Sequence, residues 1–550
     1  MDAQKYRRLA ESVMMQQDEM RSEWDWLARR IMPRSRDVLH QLKAPPSKRK
    51  REHSAAACEA LYTLVGAFMA HVTPTGQRWF EFSSPSAADG APKHEAWYRN
   101  ATDVTLRYLA GSNFYPVIQE AHMDRCLFGT CCVLCEASRS GKLMFRHIPV
   151  GSFGVAENAD GVIDTVCRSF RFTAHQAVEQ WGYGALPPEV QRAFDDERSR
   201  FTQQFEFWHL VTPRQGFVED NGLPDADPMR MRWASVYMYG AGDFRVIEEG
   251  GYPEFPFLVS RFLHWGDTVW GYPPGRKCRE ELDGIVRTER NLDVLGDLAA
   301  FPRMFIDAEQ DGDVDFRAGG LTVIDRNIAG LNLPREWGSQ GRYDVGLDRL
   351  ERMESKVRSA FFVPFLQVVS SVDRGMTATE VVARQQEQVL GICATFGQFM
   401  ADFSVLIERI FAVLFRSGAY NTARGTQPAE LMVVAPDGQN FAVRVPDVAY
   451  LGKISQAIQI SQKQSLDYAL QSAAQYVQMT GDQTALDCVD VSQAVRFAFK
   501  TLGAPSEVFR AAEEVERIRA QRQQAEMMAM AAQEADAMQM QTQAARNLRQ

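Results

Sequence analysis

Three aspartates at alternate positions, Asp311, Asp313 and Asp315, imitate the opening of a calcium-binding loop, in which carboxylate oxygens ligate the cation. Such a loop also needs a glycine at its sixth position and a glutamate at its twelfth. Phe316 and Thr322 occupy those positions here. Alternating acids of this kind are more often the solvated edge of a loop, so we predict no metal site.

Other chemical motifs are incomplete. The carboxylates of residues 307–315 keep an alternative function open, that of an enzyme, for instance a metal-dependent nuclease or another enzyme of replication. Cys132 and Cys135 form a C-x-x-C pair without a second pair or a nearby histidine, so buried, reduced thiols are the simpler interpretation. Gly141-Lys142 and Gly452-Lys453 lack the upstream glycine of a phosphate-binding loop. We predict no catalytic residue and no cofactor.

Composition limits the remaining functions. The 550 residues are 45% hydrophobic, enough for roughly three or four domains. No run of 18 apolar residues and no signal-peptide core occur, which predicts synthesis in the cytoplasm without a membrane anchor. The net charge of -9 disfavours a protein that grips DNA tightly. The basic run Lys48–Arg51 could contact nucleic acid, but such runs are usually solvated loops.

A long amphipathic helix is predicted over residues 377–418. Thr377 and Glu380 have the spacing of a capping box at its start. Arg416 suits the negative end of the helix dipole, and Gly418 suits a left-handed terminating residue. Apolar residues recur at steps of three and four, namely Val389, Ile392, Phe396, Phe399, Phe403, Leu406, Ile410 and Val413.

The residues before this helix mix helical and strand patterns. Trp24, Leu27 and Ile31 have helical spacing, and a second amphipathic helix is predicted for residues 55–71. Asp160-Gly161 predicts a type I′ hairpin turn. Strands are predicted at 143–148, after residue 161, and at 205–211, 233–239 and 244–248. The fold class is therefore α+β and predominantly helical.

Residues 301–341 are rich in Gly, Asp and turn residues, which predicts short strands and loops rather than helix, and they lie between two charged helical stretches. Downstream of the long helix, two short strands flank Asp437-Gly438 and predict a hairpin. Residues 505–550 are rich in Ala, Gln, Glu and Met, which favour helix but supply only a thin apolar stripe. We predict either a disordered tail or a helix bundled with neighbouring copies.

The order of these segments resembles that of the portal, or head-to-tail connecting, proteins of T7-like short-tailed bacteriophages. The resemblance covers about residues 20–460 and combines individually weak motifs in the expected order. They are Trp24 before Pro33, TPTGQRWFEF at 73–82, SNF at 112–114, FGT at 128–130, YPEFPFLVSRF at 252–262, GYPPGRKCREELDGI at 271–285 and MTATEV at 376–381.

The resemblance implies a portal fold. It also implies that the chain assembles as a closed ring of about twelve copies. Its segments would be the N-terminal helices and wing at 1–270, the first stem helix at 271–300, the clip at 301–344, the second stem helix at 345–363, a tunnel loop at 364–376, the long wing helix at 377–418, the crown at 419–504 and the C-terminal barrel helix or tail at 505–550.

The resemblance also implies partners and a location. The ring would sit at one capsid vertex of the virion, after synthesis in the bacterial host cytoplasm, and double-stranded DNA would pass through its tunnel. Its protein partners would be the terminase large subunit, the tail adaptor at the clip, the major capsid and scaffolding proteins, and internal core or ejection proteins at the crown. The residues expected to face the tunnel are Leu366, Val368, Val369, Val372, Asp373 and Arg374. An ordinary inter-helix loop is the alternative for this segment.

Overall fold

The structure is a computed structural model. It describes residues 3–32, 53–83, 91–137, 142–214, 227–240, 245–266, 268–301, 303–307, 320–324, 335–337, 343–370, 378–422, 427, 431–434, 441–443, 445–451, 466–472, 475, 517–518, 520–525 and 527–530. The mixture of helix and strand predicted from the sequence is confirmed in these residues.

The helices are α1 (Ala3–Met15), α2 (Asp18–Arg30), α3 (Ala55–His71), α4 (Ala91–Ala110), α5 (Phe114–Phe128), α6 (Ala174–Trp181), α7 (Pro188–Asp195), α8 (Pro274–Lys277), α9 (Arg279–Ala300), α10 (Tyr343–Ala360), α11 (Val363–Ser370) and α12 (Ala378–Arg416). The strands are β1 (Phe80–Ser83), β2 (Thr130–Ala137), β3 (Leu143–Ile148), β4 (Phe153–Glu157), β5 (Ile163–Thr173), β6 (Gln204–Pro213), β7 (Trp233–Tyr239), β8 (Arg245–Tyr252), β9 (Phe257–Arg261), β10 (Arg303–Asp307), β11 (Leu321–Ile324), β12 (Arg335–Trp337), β13 (Met432–Val434), β14 (Phe441–Val443) and β15 (Asp447–Tyr450).

The N-terminal helices form where the sequence pattern predicts them. Trp24, Leu27 and Ile31 are all fully buried in the main core. Helix α3 begins after Ser54, whose hydroxyl accepts a hydrogen bond from the Ala57 amide at 3.3 Å. This cap satisfies one amide that has no partner within the helix. The predicted boundaries of α3 are confirmed.

A three-stranded antiparallel sheet of order β3-β2-β9 carries the cysteine-rich run. Cys131, Cys132 and Cys135 are buried in β2, and burial raises the pKa of the Cys131 and Cys135 thiols to about 12. These thiols are therefore protonated, small apolar core groups, as the sequence predicts.

Asn113, in the SNF motif, forms two hydrogen bonds with the backbone of β3. Its side-chain NH2 group donates to the Phe145 carbonyl at 2.6 Å, and its side-chain oxygen accepts from the Phe145 amide at 3.0 Å.

A five-stranded antiparallel sheet of order β4-β5-β6-β7-β8 follows, with strands at the three predicted positions after residue 200.

The turn between β4 and β5 contains Asp160-Gly161, but the predicted type I′ geometry is wrong. Among the described residues of this turn, only Gly161 has a positive φ, of 74°. The Asn158 side-chain oxygen accepts from the amides of Asp160 and Val162, and this local bonding sets a different turn. Strand β3 pairs with β2 rather than across this turn.

Helices α9 and α10 pack against each other in opposite directions. The Gly284 backbone lies close to the Met353 side chain. A β-carbon added to Gly284 would be 2.7 Å from the Met353 sulfur. Farther along α9, Leu292 lies against Gly346 near the start of α10. The two glycines let the helices approach closely. The helices predicted on the two sides of residues 301–341 are confirmed, and the second ends at Ala360.

Between these two helices, strands β10, β11 and β12 form a small mixed sheet. Strand β10 pairs in parallel with β11 and antiparallel with β12. The predicted strands in this turn-rich segment are confirmed.

The long helix α12 spans 39 residues, and Gly418 follows it with a φ of 73°. The stripe residues whose side chains are described, Phe399, Phe403, Leu406, Ile410 and Val413, are buried, which confirms that part of the pattern. Thr377 lies outside the described residues, as do the side chains of Glu380 and of the first three stripe residues, Val389, Ile392 and Phe396.

Downstream of α12, strands β13 and β14 pair antiparallel and confirm the predicted hairpin, whose Asp437-Gly438 turn lies outside the described residues. Strand β15 pairs antiparallel with β1 in the register Phe80↔Tyr450, which joins this part of the chain to the TPTGQRWFEF motif. The described residues 466–472 are helical, as are 517–518, 520–525 and 527–530.

Candidate functional site

Two of the sequence motifs meet at a pair of glycines. Gly129, in FGT, ends helix α5 with a φ of 89°. Gly271, in GYPPG, lies against it, so that a β-carbon on Gly271 would lie 2.8 Å from the Gly129 carbonyl carbon. The Gly271 amide donates a hydrogen bond to the Thr130 hydroxyl at 2.9 Å. This junction fixes the chain immediately before it enters the predicted stem.

The same stretch also contacts the N-terminal helices. A β-carbon on Gly275 would lie 2.6 Å from Ile31 Cδ1 and 3.0 Å from Leu27 Cδ2. Trp270 packs edge-on against Trp24, with 4.8 Å between ring centroids. The motifs around Trp24 and Gly271 are thus parts of one packed junction at the base of α9.

A buried arginine joins α5, β9 and α12. Arg125 is fully buried, and two of its guanidinium nitrogens donate to the Arg261 carbonyl at 3.2 and 3.0 Å. The same guanidinium lies 4.4 Å from the Phe399 ring centroid and 5.1 Å from that of Phe68. These rings face a cation with their negative π-faces and offset part of its desolvation cost. Arg125 therefore fixes the position of the C-terminal half of α12.

An ion pair network holds the C-terminal end of α12. Glu254, in the β8–β9 connection, accepts hydrogen bonds from Arg409 and Arg416. One of the bonds from the Arg416 guanidinium is 2.7 Å long. The Arg409 side chain is only 6% exposed. The sequence predicts a favourable interaction of Arg416 with the helix dipole. In the structure, Arg416 also pairs with the Glu254 carboxylate.

The residues expected to face the tunnel fall partly outside the described chain. Leu366 is buried in the main core, with 7% exposed. Val368 and Val369 lie in helix α11, but their side chains are outside the described residues, as are all atoms of Val372, Asp373 and Arg374.

The loop predicted from residue 364 is wrong for residues 364–370, which belong to α11. Pro364, a residue type that breaks a helix from within, occupies the first turn of α11. Proline is tolerated there because its missing amide would have no partner within the helix. The burial of Leu366 also means that a tunnel-facing role can be proposed only for the residues beyond it.

The other candidate sites of the sequence are not brought together. Asp307 ends β10, whereas Asp311, Asp313, Asp315 and Lys48–Arg51 lie outside the described residues. Within the described part of the chain, no three His, Cys, Asp or Glu side chains are grouped so that they could hold a metal ion. None of the helices described is both long and apolar enough to cross a membrane.

Comparison with known proteins decides the family. The family described as bacteriophage head to tail connecting protein matches residues 3–509. The chain belongs to this family. A probable portal protein of Bordetella phage BPP-1 is 24% identical over 380 residues, covering 67% of this chain and 66% of that protein. The portal protein of Salmonella phage epsilon15 is 23% identical over 480 residues, covering 85% and 82%.

Sequence reasoning identified the glycine-containing motifs but missed the side chains that position the connector's long helix. Arg125 lies in a largely apolar stretch, HMDRCLFGTCCVLC. That apolar context is the one local pattern from which a buried arginine could have been predicted. Glu254 lies within a motif used for the resemblance, yet its two arginine partners are 155 and 162 residues away. No local pattern connects residues at such separations.

Proposed function

We propose that this portal family member forms a ring of about twelve copies at one capsid vertex and conducts double-stranded DNA during packaging and ejection. The observation that carries the proposal is the antiparallel α9–α10 pair, which bears a strand unit between its helices and exposes apolar side chains. Val294 on α9 is 56% exposed, and Phe301, the residue that follows α9, is 64% exposed. Val345 and Leu347 on α10 are 51% and 46% exposed. Copies arranged head to tail would bury these residues.

Ring assembly is the first test. Wild-type protein at micromolar concentration should give a particle of about twelve times the 62.1 kDa monomer in light scattering and a ring in electron micrographs. The double substitution Val294→Glu and Val345→Glu should weaken association at least tenfold, because it would bury carboxylates in the interface. Val162→Glu is the matched control, since Val162 is 58% exposed on the β4–β5 turn. Wild-type protein that remains monomeric in several salts would contradict the proposal.

Charge supports a conduit rather than a DNA clamp. The net charge of -9 gives the chain no net attraction for phosphates, which favours sliding of DNA over tight binding. The sequence contains no phosphate-binding loop, so the energy for packaging would come from the terminase large subunit, and the connector itself would be non-enzymatic. Retention of DNA would then depend on steric closure rather than on ionic attraction.

We place the tunnel-facing segment at residues 368–376, after Leu366. Val368, Val369 and Val372 would offer DNA an apolar collar, with Asp373 and Arg374 at its margin. Apolar side chains form no ion pairs with phosphates, so passage should be independent of sequence.

Charging this collar should impede packaging. The double substitution Val369→Lys and Val372→Lys adds two cations per copy, which would bind phosphates and release counterions. We expect assembled rings but roughly tenfold less DNA packaged in vitro at low salt, with recovery as salt rises. Val162→Lys, on the β4–β5 turn, is the control. Normal packaging by the double variant at every salt concentration would remove this segment from the DNA path.

The remaining partners follow from the arrangement of the proposed segments. The β10–β11–β12 unit, in the proposed clip at 301–344, has two outer strands, and the outer edges of these strands pair with no other described strand and would dock the tail adaptor. The wing would contact the major capsid and scaffolding proteins. The crown at 419–504 would contact internal core or ejection proteins, and residues 505–550 would form a helical barrel with neighbouring copies.

A further inference from the structure

The two-residue corner between α10 and α11 contains an unusual backbone conformation. Phe362 has a φ of 61°, and it is the one non-glycine residue with positive φ among those described. Left-handed residues that end helices are usually glycine or asparagine, because a β-carbon is disfavoured there. An aromatic residue at this position is therefore held by its surroundings.

Burial on both sides holds the corner in place. Phe361 is fully buried, and Val363 and Leu366 are 5% and 7% exposed in the main core. The Phe362 amide donates to the Ser359 carbonyl at 3.1 Å, and the Leu366 amide donates to the Phe362 carbonyl at 3.0 Å. Phe362 thus ends one helix and begins the next.

Pro364 disfavours the straight alternative. If α10 continued through the corner into α11, residue 364 would donate its amide to the Ala360 carbonyl. Proline has no amide hydrogen, and its ring would clash with that carbonyl. Pro364 is exposed, so its contribution here is to backbone conformation rather than to the core.

We propose that the α10–α11 corner is a two-state element, in which Pro364 and core burial favour the bent state over one continuous helix from Tyr343 to Ser370. The strained φ of Phe362 disfavours the bent state and brings the two states closer in free energy. Conversion would withdraw Leu366 from the core and redirect the chain that follows α11. The consequence for DNA passage rests on the proposed function, whereas the two states themselves do not.

Hydrogen exchange on the full-length chain distinguishes the states. In the bent state, the amides of Val363 and Phe365 donate to no described residue. In a continuous helix they would donate to the carbonyls of Ser359 and Phe361. Pro364→Ala restores an amide and removes the ring clash, so exchange at Val363 and Phe365 should slow at least tenfold. The far-UV circular dichroism and the particle mass should stay those of a folded, normally assembled protein.

A second variant provides the matched control. Phe362→Gly added to Pro364→Ala relieves the left-handed strain and disfavours helix at residue 362, so exchange should return to the wild-type rate. Unchanged exchange in Pro364→Ala would overturn the two-state proposal, as would slowed exchange that the added glycine fails to reverse. Either result is independent of ring formation and DNA passage, so it leaves the proposed function to its own tests.

Discussion

Alanine at Gly271 is expected to destabilise the protein by more than roughly 4 kcal/mol and to reduce its soluble yield severely. The added β-carbon would lie 2.8 Å from the Gly129 carbonyl carbon and closer still to its oxygen. Both obstacles are backbone atoms, so no side chain can rotate to relieve the clash. Gly129 also has its own positive φ and hydrogen-bonded helix end, which restrict its movement.

Gly66→Ala is the matched control for this substitution. Gly66 lies in helix α3, and a β-carbon there would meet no atom within 4 Å outside the neighbouring helix backbone. Alanine should therefore stabilise this helix by roughly 0.5–1 kcal/mol. Thermal unfolding of the two variants beside wild type measures both effects. A Gly271→Ala melting temperature within about 2 °C of wild type would contradict the close approach.

The sequence predicted elements best where a local period determines them. The helical spacing of Trp24, Leu27 and Ile31 and the later stripe of α12 both correspond to buried faces. Strand alternation likewise located β6, β7 and β8. These patterns succeed because an element must bury one face, and its geometry converts that requirement into a repeat along the chain.

The corner at α11 was mispredicted because one residue type supports two interpretations. Proline breaks a helix from within but begins one from its first turn, and the sequence alone did not choose between them. The choice depended on burial of Val363 and Leu366 against elements distant in the sequence. Tertiary packing therefore decided a local structure that periodicity left open.

The candidate site was less predictable than the fold. General rules place arginine at the surface, yet Arg125 is fully buried among Phe68, Phe262 and Phe399. The rings come from three separate elements, so the environment that tolerates the cation exists only after folding. The apolar collar was assigned from the family resemblance, and its position relative to DNA remains part of the proposed function.

Removing the Glu254 carboxylate should destabilise the attachment of α12 by roughly 2–4 kcal/mol, because Arg409 would keep a nearly buried charge without its anion. The Arg409 and Glu254 side chains are 6% and 32% exposed, which places the pair between the fully buried and the solvated cases. Glu254→Gln keeps the shape and hydrogen-bonding oxygen while removing the charge. We expect a lower melting temperature and faster hydrogen exchange in the C-terminal half of α12.

Glu281→Gln is the control for loss of an exposed ion pair. Glu281 pairs with Lys356 at 3.2 Å, and the lysine side chain is 68% exposed. That substitution should cost roughly 0–1 kcal/mol, since solvent screens the pair and the freed lysine can remain hydrated. An equal loss in the two variants would contradict a special role for Glu254.

A second substitution separates the lost attraction from the charge left behind. Arg409→Met in the Glu254→Gln background removes the buried cation and keeps an apolar stem, so it should recover roughly 1–3 kcal/mol of the loss. Arg416 would remain near the solvent, with its side chain 27% exposed, and tolerate the change better. If Arg409→Met instead lowers the stability further, the uncompensated charge on Arg409 cannot be the cause of the Glu254→Gln defect. Recovery would show that Glu254 holds the end of α12 chiefly by neutralising Arg409.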